Sequence, residues 1–436
     1  MRPAARATAA LVVAALSPGL VPAGPPPAIE SVAVLADHPL PVPEGSPGGF
    51  RLGGMSDLVP APGSGAGELA FWGLTDRGPN GTVTEPAVGD APPRTRRTLP
   101  LPRFAPLLVH LSVPAGAGEG EATARLLATL PLSTPGGAPV SGRPAAPHPR
   151  AKPIVDPTTL EPVPFDPDGF DPEGLARSPD GRFWIAEEYL PSIAEVDSTG
   201  RLRRRLVPRG MALAGASCPV VDSLPADLVR RRDNRGFESL ALSPDGSRLF
   251  ALLQSPLDPE EPAAGTQARA PDLDVPIVVL DPATGRTLGE HAYRLGSGDA
   301  ETCDWCVAAA DGKISAVAAL GDRTLLVLEQ SDTDLRLYRA RLPEADAGPR
   351  RRVEKTLVAD LSPLAATFQA AVVPGTTTPP QRLSELKFEG MALLGPDRVA
   401  IVNDNDFDIA ADGGGPASPP ARRTCVWVLR LAAPVE

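Results

Sequence analysis

The sequence predicts an all-β protein built from repeated units of four strands. Its 436 residues include 55 prolines and 42 glycines, a content that disfavours long helices and favours short strands joined by turns. Five stretches share one hairpin design, with a short strand, a turn such as SPDG or GPD, and a second strand rich in Val, Ile, Leu, Phe or Trp. These hairpins occupy residues 53–81, 171–191, 236–257, 313–332 and 386–407.

The segments after the first four hairpins are also alike. Two further strands joined by a turn follow each one, for example SIAEVDSTG and RLRRRLVP after the hairpin at 171–191. A unit of four such strands matches the blade of a β-propeller, in which blades surround a central channel. Charged, alternating outer strands are typical of the edge strands of blades.

The fifth unit begins at Phe388 and ends one strand short. The segment 29–40, IESVAVLADHPL, supplies an unused strand near the other end of the chain. Pairing it with the last unit would close the ring and remove open sheet edges. We therefore expect residues 29–436 to form one propeller domain of five blades, with six as the alternative.

Four segments rich in Pro, Ala and Gly lack a strand pattern. They are predicted to be insertions at one rim of the ring, which either are disordered or shape the substrate site. These segments span residues 134–170, 209–235, 258–274 and 409–423. A sixth blade, if present, would lie in residues 134–170 or 209–235.

Residues 1–28 are predicted to be a signal peptide for export to the periplasm or the medium. Arg2 and Arg6 precede a short apolar run, and small residues and prolines follow it. The run is shorter than the roughly 18 to 20 apolar residues of a spanning helix, and no other segment predicts a membrane span. A disordered Ala/Pro-rich tail is the alternative interpretation.

Export would place the four cysteines in an oxidising compartment. Four cysteines allow three pairings, of which we adopt Cys303 with Cys306 and Cys218 with Cys425 as the hypothesis. A zinc site is less favoured, because the single C-x-x-C at Cys303 has no second pair and no nearby His.

The formal charge of −11 makes nucleic acid and anionic membranes poor partners and a metal cation a natural one. We expect a monomer that binds a small anionic or ester substrate. The four His residues lie outside the repeated hairpins, so an imidazole-based site is not predicted. They are His38, His110, His148 and His291.

Acidic residues recur at two positions of the hairpins. Aligning the hairpins by their turns makes one residue equivalent at the start of each first strand: Asp57 or Ser56, Glu173, Glu238, Ser315 and Glu389. The corresponding residues at the end of each second strand are Asp76, Glu188, Gln254, Glu329 and Asp404. In an antiparallel hairpin these two positions lie side by side. The sequence therefore predicts a ring of carboxylates and amides at one mouth of the channel.

Such a ring predicts a cation site. Carboxylates packed closely raise one another's pKa unless a cation neutralises them, and Ca²⁺ binds about six to eight oxygen ligands. Each acid could instead cap a backbone N–H or belong to an ordinary hairpin turn. Several acids converge on one rim, and packing alone gives no reason for this convergence. We therefore favour the cation site.

Three cations flank these positions. Arg77 follows Asp76, Arg235 precedes GFES, and Lys387 precedes Phe388. They would either bind an anionic substrate such as a phosphate ester or form structural ion pairs with the carboxylates, and both interpretations stay open.

The ordered motifs resemble a known family. GGMSDL, LTDRGPNG, DPEGLARSPDGRFWIAEEYLP, NRGFESLALSPDG and KFEGMALL with VNDNDF are similar to the phytase-like family with "esterase-like activity of phytase". The resemblance covers residues 30–432 and implies a secreted or periplasmic propeller. A more distant similarity is to gluconolactonase-like propellers, in which a Glu-Gly element also supplies a metal ligand.

The resemblance carries functional positions onto this chain. The family's Glu-Gly element matches Glu173 and Glu389, and its other motifs match Asp76, Arg77, Asn80 and residues Asn403 to Asp406. The third unit departs from the pattern with Glu238-Ser239, and the fourth with Ser315-Ala316. These departures imply that a metal would be bound asymmetrically.

Together these features predict a metal-dependent hydrolase of phosphate or carboxylic esters. The expected Ca²⁺ ligands are Asp76, Glu173, Glu188, Glu389, Asn403 and Asp404. The expected catalytic residues are Glu188, Glu238, Arg77 and Lys387, and the expected substrate-binding residues are Arg77, Asn80, Arg235, Lys387 and Asn405. A non-catalytic binding propeller with structural calcium and a gluconolactonase-like lactonase are the alternatives. A serine mechanism is disfavoured because no G-x-S-x-G occurs.

Overall fold

The computed structural model describes most of the chain, namely residues 26–62, 67–85, 94–116, 120–148, 152–259, 273–296, 312–344, 348–410, 415–418 and 421–435. These residues form strands, a few single-turn 3-10 helices and one α-helix, α1 (Ala365–Val372). The predicted all-β class is therefore confirmed. No helix among them has the length and hydropathy needed to cross a bilayer.

The strands are short and occur along the whole described chain. In chain order they are β1 (Ala28–Leu35), β2 (Met55–Pro60), β3 (Glu68–Thr75), β4 (Gly81–Glu85), β5 (Arg94–Thr98), β6 (Leu107–Pro114), β7 (Ala122–Pro131), β8 (Ile154–Val155), β9 (Pro172–Arg177), β10 (Phe183–Glu187), β11 (Ser192–Val196), β12 (Leu202–Pro208), β13 (Val220–Leu224), β14 (Phe237–Leu242), β15 (Leu249–Leu253), β16 (Asp274–Leu280), β17 (Thr287–Arg294), β18 (Lys313–Ala319), β19 (Thr324–Gln330), β20 (Leu335–Arg341), β21 (Arg351–Arg352), β22 (Glu354–Asp360), β23 (Phe388–Gly395), β24 (Arg398–Asn403) and β25 (Cys425–Arg430).

Each predicted hairpin opens a separate antiparallel unit of four strands. The units are β2-β3-β6-β7, β9-β10-β11-β12, β14-β15-β16-β17, β18-β19-β20-β22 and β23-β24-β25-β1. Strands β13 and β21 extend the second and third units in parallel pairings. Strands β4, β5 and β8 form a small sheet of their own. The hairpins and the strands after them thus pair as the sequence predicts.

Strand β1 connects the two ends of the chain. It pairs antiparallel with β25, from Ala28 opposite Arg430 to Val34 opposite Cys425, and it also pairs in parallel with β7. The predicted pairing of the N-terminal strand with the last unit is therefore present. It joins the first and fifth units into one sheet of eight strands.

The first strands of the five units lie against one another. β2 contacts β9 and β23, β14 contacts β9 and β18, and β18 contacts β23. Two glycines permit this approach. A Cβ atom on Gly174 would lie 2.7 Å from the backbone nitrogen of Leu240, and one on Gly390 would lie 2.7 Å from the Cα atom of Asp57. The Gly of each Glu-Gly motif is therefore required by close backbone packing.

Buried apolar side chains fill the spaces between neighbouring units. One cluster joins Trp184 of the second unit, Phe250 of the third and Val327 of the fourth. Another joins the fourth unit to the fifth, where Phe388 and Trp427 pack edge to face against Phe368 of α1. The segments predicted as insertions at 134–170 and 209–235 contribute β8, β13 and a 3-10 turn (Ala226–Arg230), and their described residues form no further sheet of four strands.

The predicted disulfide between Cys218 and Cys425 is wrong. Both residues are buried as free thiols. Cys218 packs with apolar residues of the second unit such as Leu175, whereas Cys425 lies in β25 and packs against Trp427. The two side chains thus belong to different cores. Cys303 and Cys306 lie outside the described residues.

Candidate metal and substrate site

A β-bulge occurs at the same place in all five hairpins. The strand pairing skips one residue near the start of each first strand, and these residues are Ser56, Glu173, Glu238, Ser315 and Glu389. A bulge leaves its extra residue unpaired and re-aims the side chain. Ser56, rather than Asp57, takes this position in the first unit. The predicted acids thus lie at sites where the ladder itself is interrupted.

The residues at the ends of the second strands follow from the same register. They are Asp76, Glu188, Gln254, Gln330 and Asp404. The placement of Glu329 in this set is wrong, because Glu329 pairs with Ile314, one residue too early. Its carboxylate instead lies 2.7 Å from Nζ of Lys355 and accepts the N–H of Gly296 at 2.9 Å.

A third equivalent position lies immediately before or at the start of each first strand. The backbone N–H groups of Asp76, Glu188, Gln254 and Asp404 donate to the carbonyls of Gly54, Asp171, Gly236 and Lys387, respectively. Lys313 pairs with Gln330 in the fourth unit and so takes the same place. This position therefore carries an acid in the second unit and a lysine in the fourth and fifth. Asp171 and Lys313 were not among the predicted site residues, although aligning them with Lys387 would have found them.

The side chains of these three positions form a group that we call the polar ring. It consists of Asp76, Asp171, Glu173, Glu188, Glu238, Gln254, Lys313, Lys387, Glu389 and Asp404. Apart from Glu173, Lys313 and Lys387, which are half-buried, all of them are buried. Neighbours within the ring interact electrostatically, including Glu238 with Glu188 and Asp404 with Asp76 across unit boundaries.

One half of the polar ring is strongly acidic. Carboxylate oxygens of Asp76, Asp171 and Glu173, which we call the acidic triad, all lie within 4.8 Å of one another. Arg77 partly offsets their charge, since its Nη2 atom lies 2.7 Å from Oδ2 of Asp171 and 3.7 Å from Oε2 of Glu188. Nη2 of Arg77 also donates to Asn234, and Nδ2 of Asn80 donates to Oδ2 of Asp76 at 2.7 Å.

In this half, the positive charge of Arg77 does not fully offset the effect of burial on the carboxylate pKa values. Burial raises the pKa of Asp76 to about 7 and that of Glu188 to about 8, although Arg77 attracts both carboxylates. Burial also raises the pKa of Glu173 well above its ordinary value, and repulsion from Asp76, Glu188, Glu238 and Asp171 adds to this. Arg77 attracts the Glu173 carboxylate, but burial and the neighbouring acids outweigh this attraction.

The acidic triad fits a hard divalent cation. Its donors are carboxylate oxygens, which Ca²⁺ prefers, and their mutual distances allow one ion to contact all three groups. Oδ1 of Asp171 is buried without a hydrogen-bond donor, and Oδ2 is close to the Arg77 guanidinium. A bound cation would satisfy Oδ1 and reduce the repulsion between Glu173 and its acidic neighbours.

The other half of the polar ring carries its own cations. Nζ of Lys313 lies 2.6 and 2.8 Å from the two carboxylate oxygens of Glu389 and 3.4 Å from Oε1 of Glu238. Nζ of Lys387 lies 2.5 Å from Oδ2 of Asp404 and also binds the carboxylate of Asp406. The ring is therefore divided into an acidic half and a half that contains the two lysines.

Gln254 lies between the two halves. Its Nε2 atom donates to Oε2 of Glu238 at 2.5 Å and to Oε1 of Glu188 at 3.2 Å. Burial raises the pKa of Glu389 to about 8 and that of Asp404 to about 7, even though Lys313 and Lys387 lie beside them. Burial would lower the pKa of each lysine, but the surrounding carboxylates raise it above its ordinary value.

Left-handed backbone conformations cluster at this site. Lys387 has φ 49°, Asn234 has φ 54°, and Asp406, Phe407 and Asp408 have φ between 52° and 53°. Such conformations are unfavourable for residues other than Gly and tend to persist at functional sites, where the surrounding structure enforces them. Their position beside Arg77, Lys387 and Asp404 supports a functional role for the polar ring.

Three predicted site residues have other partners. Oδ1 of Asn403 accepts the N–H of Cys425 at 2.8 Å, and Oδ1 of Asn405 accepts the N–H of Gly54 at 2.9 Å. Nη1 of Arg235 donates to Oγ of Ser255 at 3.0 Å. Asn403 and Asn405 thus use their side-chain oxygens to hold backbone segments together.

Comparisons with known proteins agree with the motif pattern. A family model described as "Phytase-like: Esterase-like activity of phytase" matches residues 51–407. An uncharacterized secreted protein of Arthroderma benhamiae is 32% identical over 93 residues, which cover 18% of this chain and 18% of that protein. The match thus spans less than a fifth of the length of that relative.

Solved structures with similar chains have low sequence identity. The PQQ-bound aldose sugar dehydrogenase of Streptomyces coelicolor is 14% identical, with 93% of this chain and 99% of that chain covered and a TM-score of 0.34. The calcium-binding protein regucalcin of Agrobacterium tumefaciens is 12% identical, with 93% and 96% covered and a TM-score of 0.32.

Proposed function

This chain belongs to the phytase-like family, whose model spans most of its length, and from this premise we propose that it is a metal-dependent hydrolase of phosphate or carboxylic esters. One observation carries the proposal. The acidic triad and the two lysines lie in one polar ring, so that a site for a cation adjoins groups that attract an anion. Hydrolysis of an ester that carries an anionic group would use both features, the cation at the ester and the lysines at the anionic group.

The proposed scaffold is a closed propeller of five blades formed by residues 29–436. The cyclic contacts among β2, β9, β14, β18 and β23 support this count, because each first strand has two neighbouring first strands. The pairing of β1 with β25 supports closure of the ring by the two ends of the chain.

The proposed cation is Ca²⁺, held by Asp76, Asp171 and Glu173 with Glu188 beside them. When bound, such an ion would polarise the ester and lower the pKa of a coordinated water. Asn80 and Arg77 would orient the carboxylates of Asp76 and Asp171, to which they already bind. Asn403 is not needed in this ligand set, because its oxygen is already used by the backbone of β25.

Lys387 is the best candidate to bind the anionic part of a substrate. Its side chain is 30% exposed, against 18% for Lys313 and 4% for Arg77. An ammonium group has three donors, so Lys387 would hold an anion with the donor that neither Asp404 nor Asp406 uses. Arg77, which is almost fully buried between Asp171 and Glu188, would act mainly by positioning those carboxylates.

Glu238 is the proposed general base. It lies in the lysine half, within reach of Lys313 and Gln254. Burial raises its pKa while Lys313 opposes the rise, and a base works best when its pKa lies near the working pH. Glu188 is the alternative base if it is not occupied with the cation.

We also propose export from the cytoplasm, with residues 1–28 as the signal peptide. The name of the Arthroderma relative, a secreted protein, supports this.

A non-catalytic binding protein is the second candidate function. Glu188 and Glu238 are only 1% and 2% exposed, and carboxylates buried this deeply are also suited to a structural cation. A lactonase would use the same polar ring and would differ from the esterase in its substrate.

The test is to strip the purified protein with a chelator, restore Ca²⁺, and assay a phosphate monoester, a carboxylic ester and a lactone. Wild type should turn over an ester only with the cation, Glu173→Gln should lose this activity, and Glu329→Gln should keep it. A protein that Ca²⁺ stabilises without any turnover would support the binding function. Turnover that is indifferent to chelation would refute the role of the metal.

A further inference from the structure

The fourth unit differs from its neighbours at the polar ring. Its bulge carries Ser315, where the third and fifth units carry Glu238 and Glu389. Oγ of Ser315 donates to the side-chain oxygen of Gln330 at 3.2 Å, so this pair contributes no charge. The fourth unit contributes instead the ammonium of Lys313, which reaches the acids of the units on both sides.

We propose that Lys313 is a tethered cation that takes the place of a metal ion between Glu238 and Glu389, so that the polar ring binds metal only at its acidic half. This deepens the proposed function by fixing where the metal binds and where it does not. The metal at the acidic triad belongs to the proposed function, whereas the role of Lys313 can be tested separately.

The contacts of Lys313 are those expected of a substitute cation. Glu389 places both carboxylate oxygens within 2.8 Å of Nζ, and Glu238 places one at 3.4 Å. The side chains of Glu238 and Glu389 are only 2% and 8% exposed, against 18% for Lys313. Two buried carboxylates that face each other need a positive charge between them, because water cannot screen their repulsion.

The equivalent residues of other units show the same division. Asp171 holds this position in the second unit and adds an acid to the triad, whereas Lys387 holds it in the fifth unit and pairs with Asp404. In the second, fourth and fifth units, the residue at this position therefore sets the local sign of charge. Gln254, a neutral donor to both Glu238 and Glu188, stands at the boundary between the halves.

The consequence is a site with one exchangeable cation, the metal ion at the acidic triad, and two fixed cations, the ammonium groups of Lys313 and Lys387. Glu389, which the sequence predicts as a metal ligand, would be occupied by Lys313. Removal of the ammonium should turn Glu238 and Glu389 into a second site for Ca²⁺, because their carboxylates are oxygen ligands of the kind this ion prefers.

The experiment compares Lys313→Ala with wild type by equilibrium dialysis with elemental analysis, and by melting temperature in chelator and in Ca²⁺. Lys313→Ala should bind one more equivalent of Ca²⁺ than wild type, and Ca²⁺ should restore the melting temperature that the substitution lowers. The additional equivalent should disappear in Lys313→Ala with Glu389→Gln. Lys313→Arg, which keeps the charge, should have the wild-type stoichiometry.

Lys355→Ala is the matched control. Lys355 is also a half-buried lysine, but it binds one carboxylate, that of Glu329, and two backbone carbonyls. Its loss should lower the melting temperature without adding a Ca²⁺ site. If Lys313→Ala does not fold in chelator, Lys313→Gln, which keeps most of the side-chain volume, takes its place in the same measurements.

The outcomes separate the two proposals. Wild-type stoichiometry and no recovery by Ca²⁺ in Lys313→Ala, or in Lys313→Gln where that variant replaces it, overturn the role of Lys313, whatever wild type binds. Wild type without bound metal, together with one equivalent in Lys313→Ala, supports the role of Lys313 and refutes the metal at the acidic triad.

Discussion

Oδ2 of Asp57 accepts a hydrogen bond of 2.7 Å from the backbone N–H of Leu175, so that a carboxylate of the first unit is anchored on the first strand of the second. Oδ1 accepts the N–H of Leu58 at 2.7 Å, and the N–H of Met391 in the fifth unit also binds this carboxylate. Leu175 and Met391 each lie two residues after the Glu of a Glu-Gly motif. Asp57 therefore positions Glu173 and Glu389 through the backbone.

Asp57→Ala should destabilise the protein strongly. The change leaves backbone N–H groups of three buried strands without an acceptor, and each unpaired buried donor costs about 1–3 kcal/mol. We expect the free energy of unfolding, measured with urea, to fall by roughly 2–4 kcal/mol. Asp245→Ala, which removes an exposed turn carboxylate bound to Ser247, is the control and should cost less. Equal losses would contradict the anchoring role of Asp57.

Gly390→Ala should be unfavourable for steric reasons. The new Cβ atom would lie 2.7 Å from the Cα atom of Asp57 and 2.8 Å from the nitrogen of Leu58, and backbone atoms cannot easily move away. We expect a loss of about 1–3 kcal/mol in thermal or urea unfolding. Gly321→Ala, where nothing lies within 4 Å of the new atom, should cause no such loss. A stable Gly390→Ala protein would show that the first strands pack less closely than the structure indicates.

Much of the fold was predictable because its hairpins are local. Alternating apolar residues and turn motifs mark β9 with β10 and β23 with β24, and the unused strand at 29–40 identifies the partner of β25. The pairing of Cys218 with Cys425 was not predictable, because cysteine spacing does not show that each thiol is buried in a different core.

The site was predictable in its residue types but not in its contacts. Glu173, Glu238 and Glu389 were found because the repeats align them, but the bulges that re-aim their side chains leave no separate mark in the sequence. Glu329 was chosen over Gln330 because aligning the hairpins by their turns does not reveal which residues pair across the two strands. Lys313 was missed because a lysine does not resemble a metal ligand, although here it neutralises the same carboxylates.

Glu173→Gln should raise stability and weaken cation binding at once. Four neighbouring acids raise the pKa of Glu173, namely Asp76, Glu188, Glu238 and Asp171, so that a neutral side chain removes their repulsion in the protein without metal. We expect a higher melting temperature in chelator and a smaller increase on adding Ca²⁺. The measurement is the melting temperature with and without Ca²⁺.

The control for this change is Glu329→Gln. Glu329 forms an ion pair with Lys355 outside the acidic triad, so its loss should lower the melting temperature equally in chelator and in Ca²⁺. A lower melting temperature of Glu173→Gln in chelator would contradict the repulsion that the structure shows.

In chelator, this site should lose stability as the pH rises from about 5 to about 8. Burial raises the pKa of Asp76 and Asp404 to about 7 and that of Glu188 and Glu389 to about 8, whereas the same groups titrate near 4 in the unfolded chain. Between about pH 4 and pH 8 the folded state therefore binds more protons than the unfolded chain. Stability from this source is fully present below about pH 4 and is lost as the pH rises through the folded pKa values.

Ca²⁺ should offset the part of this dependence that comes from Asp76 and Glu188, because a cation bound to these carboxylates supplies the charge that protons supply at lower pH. The measurement is the melting temperature at pH 5, 6, 7 and 8, in chelator and in excess Ca²⁺. The increase caused by Ca²⁺ should be largest at pH 8 and smallest at pH 5. In Glu188→Gln, which removes one of the titrating groups, the decline in chelator should be shallower than in wild type. Equal increases at all four pH values would show that the cation does not bind these carboxylates.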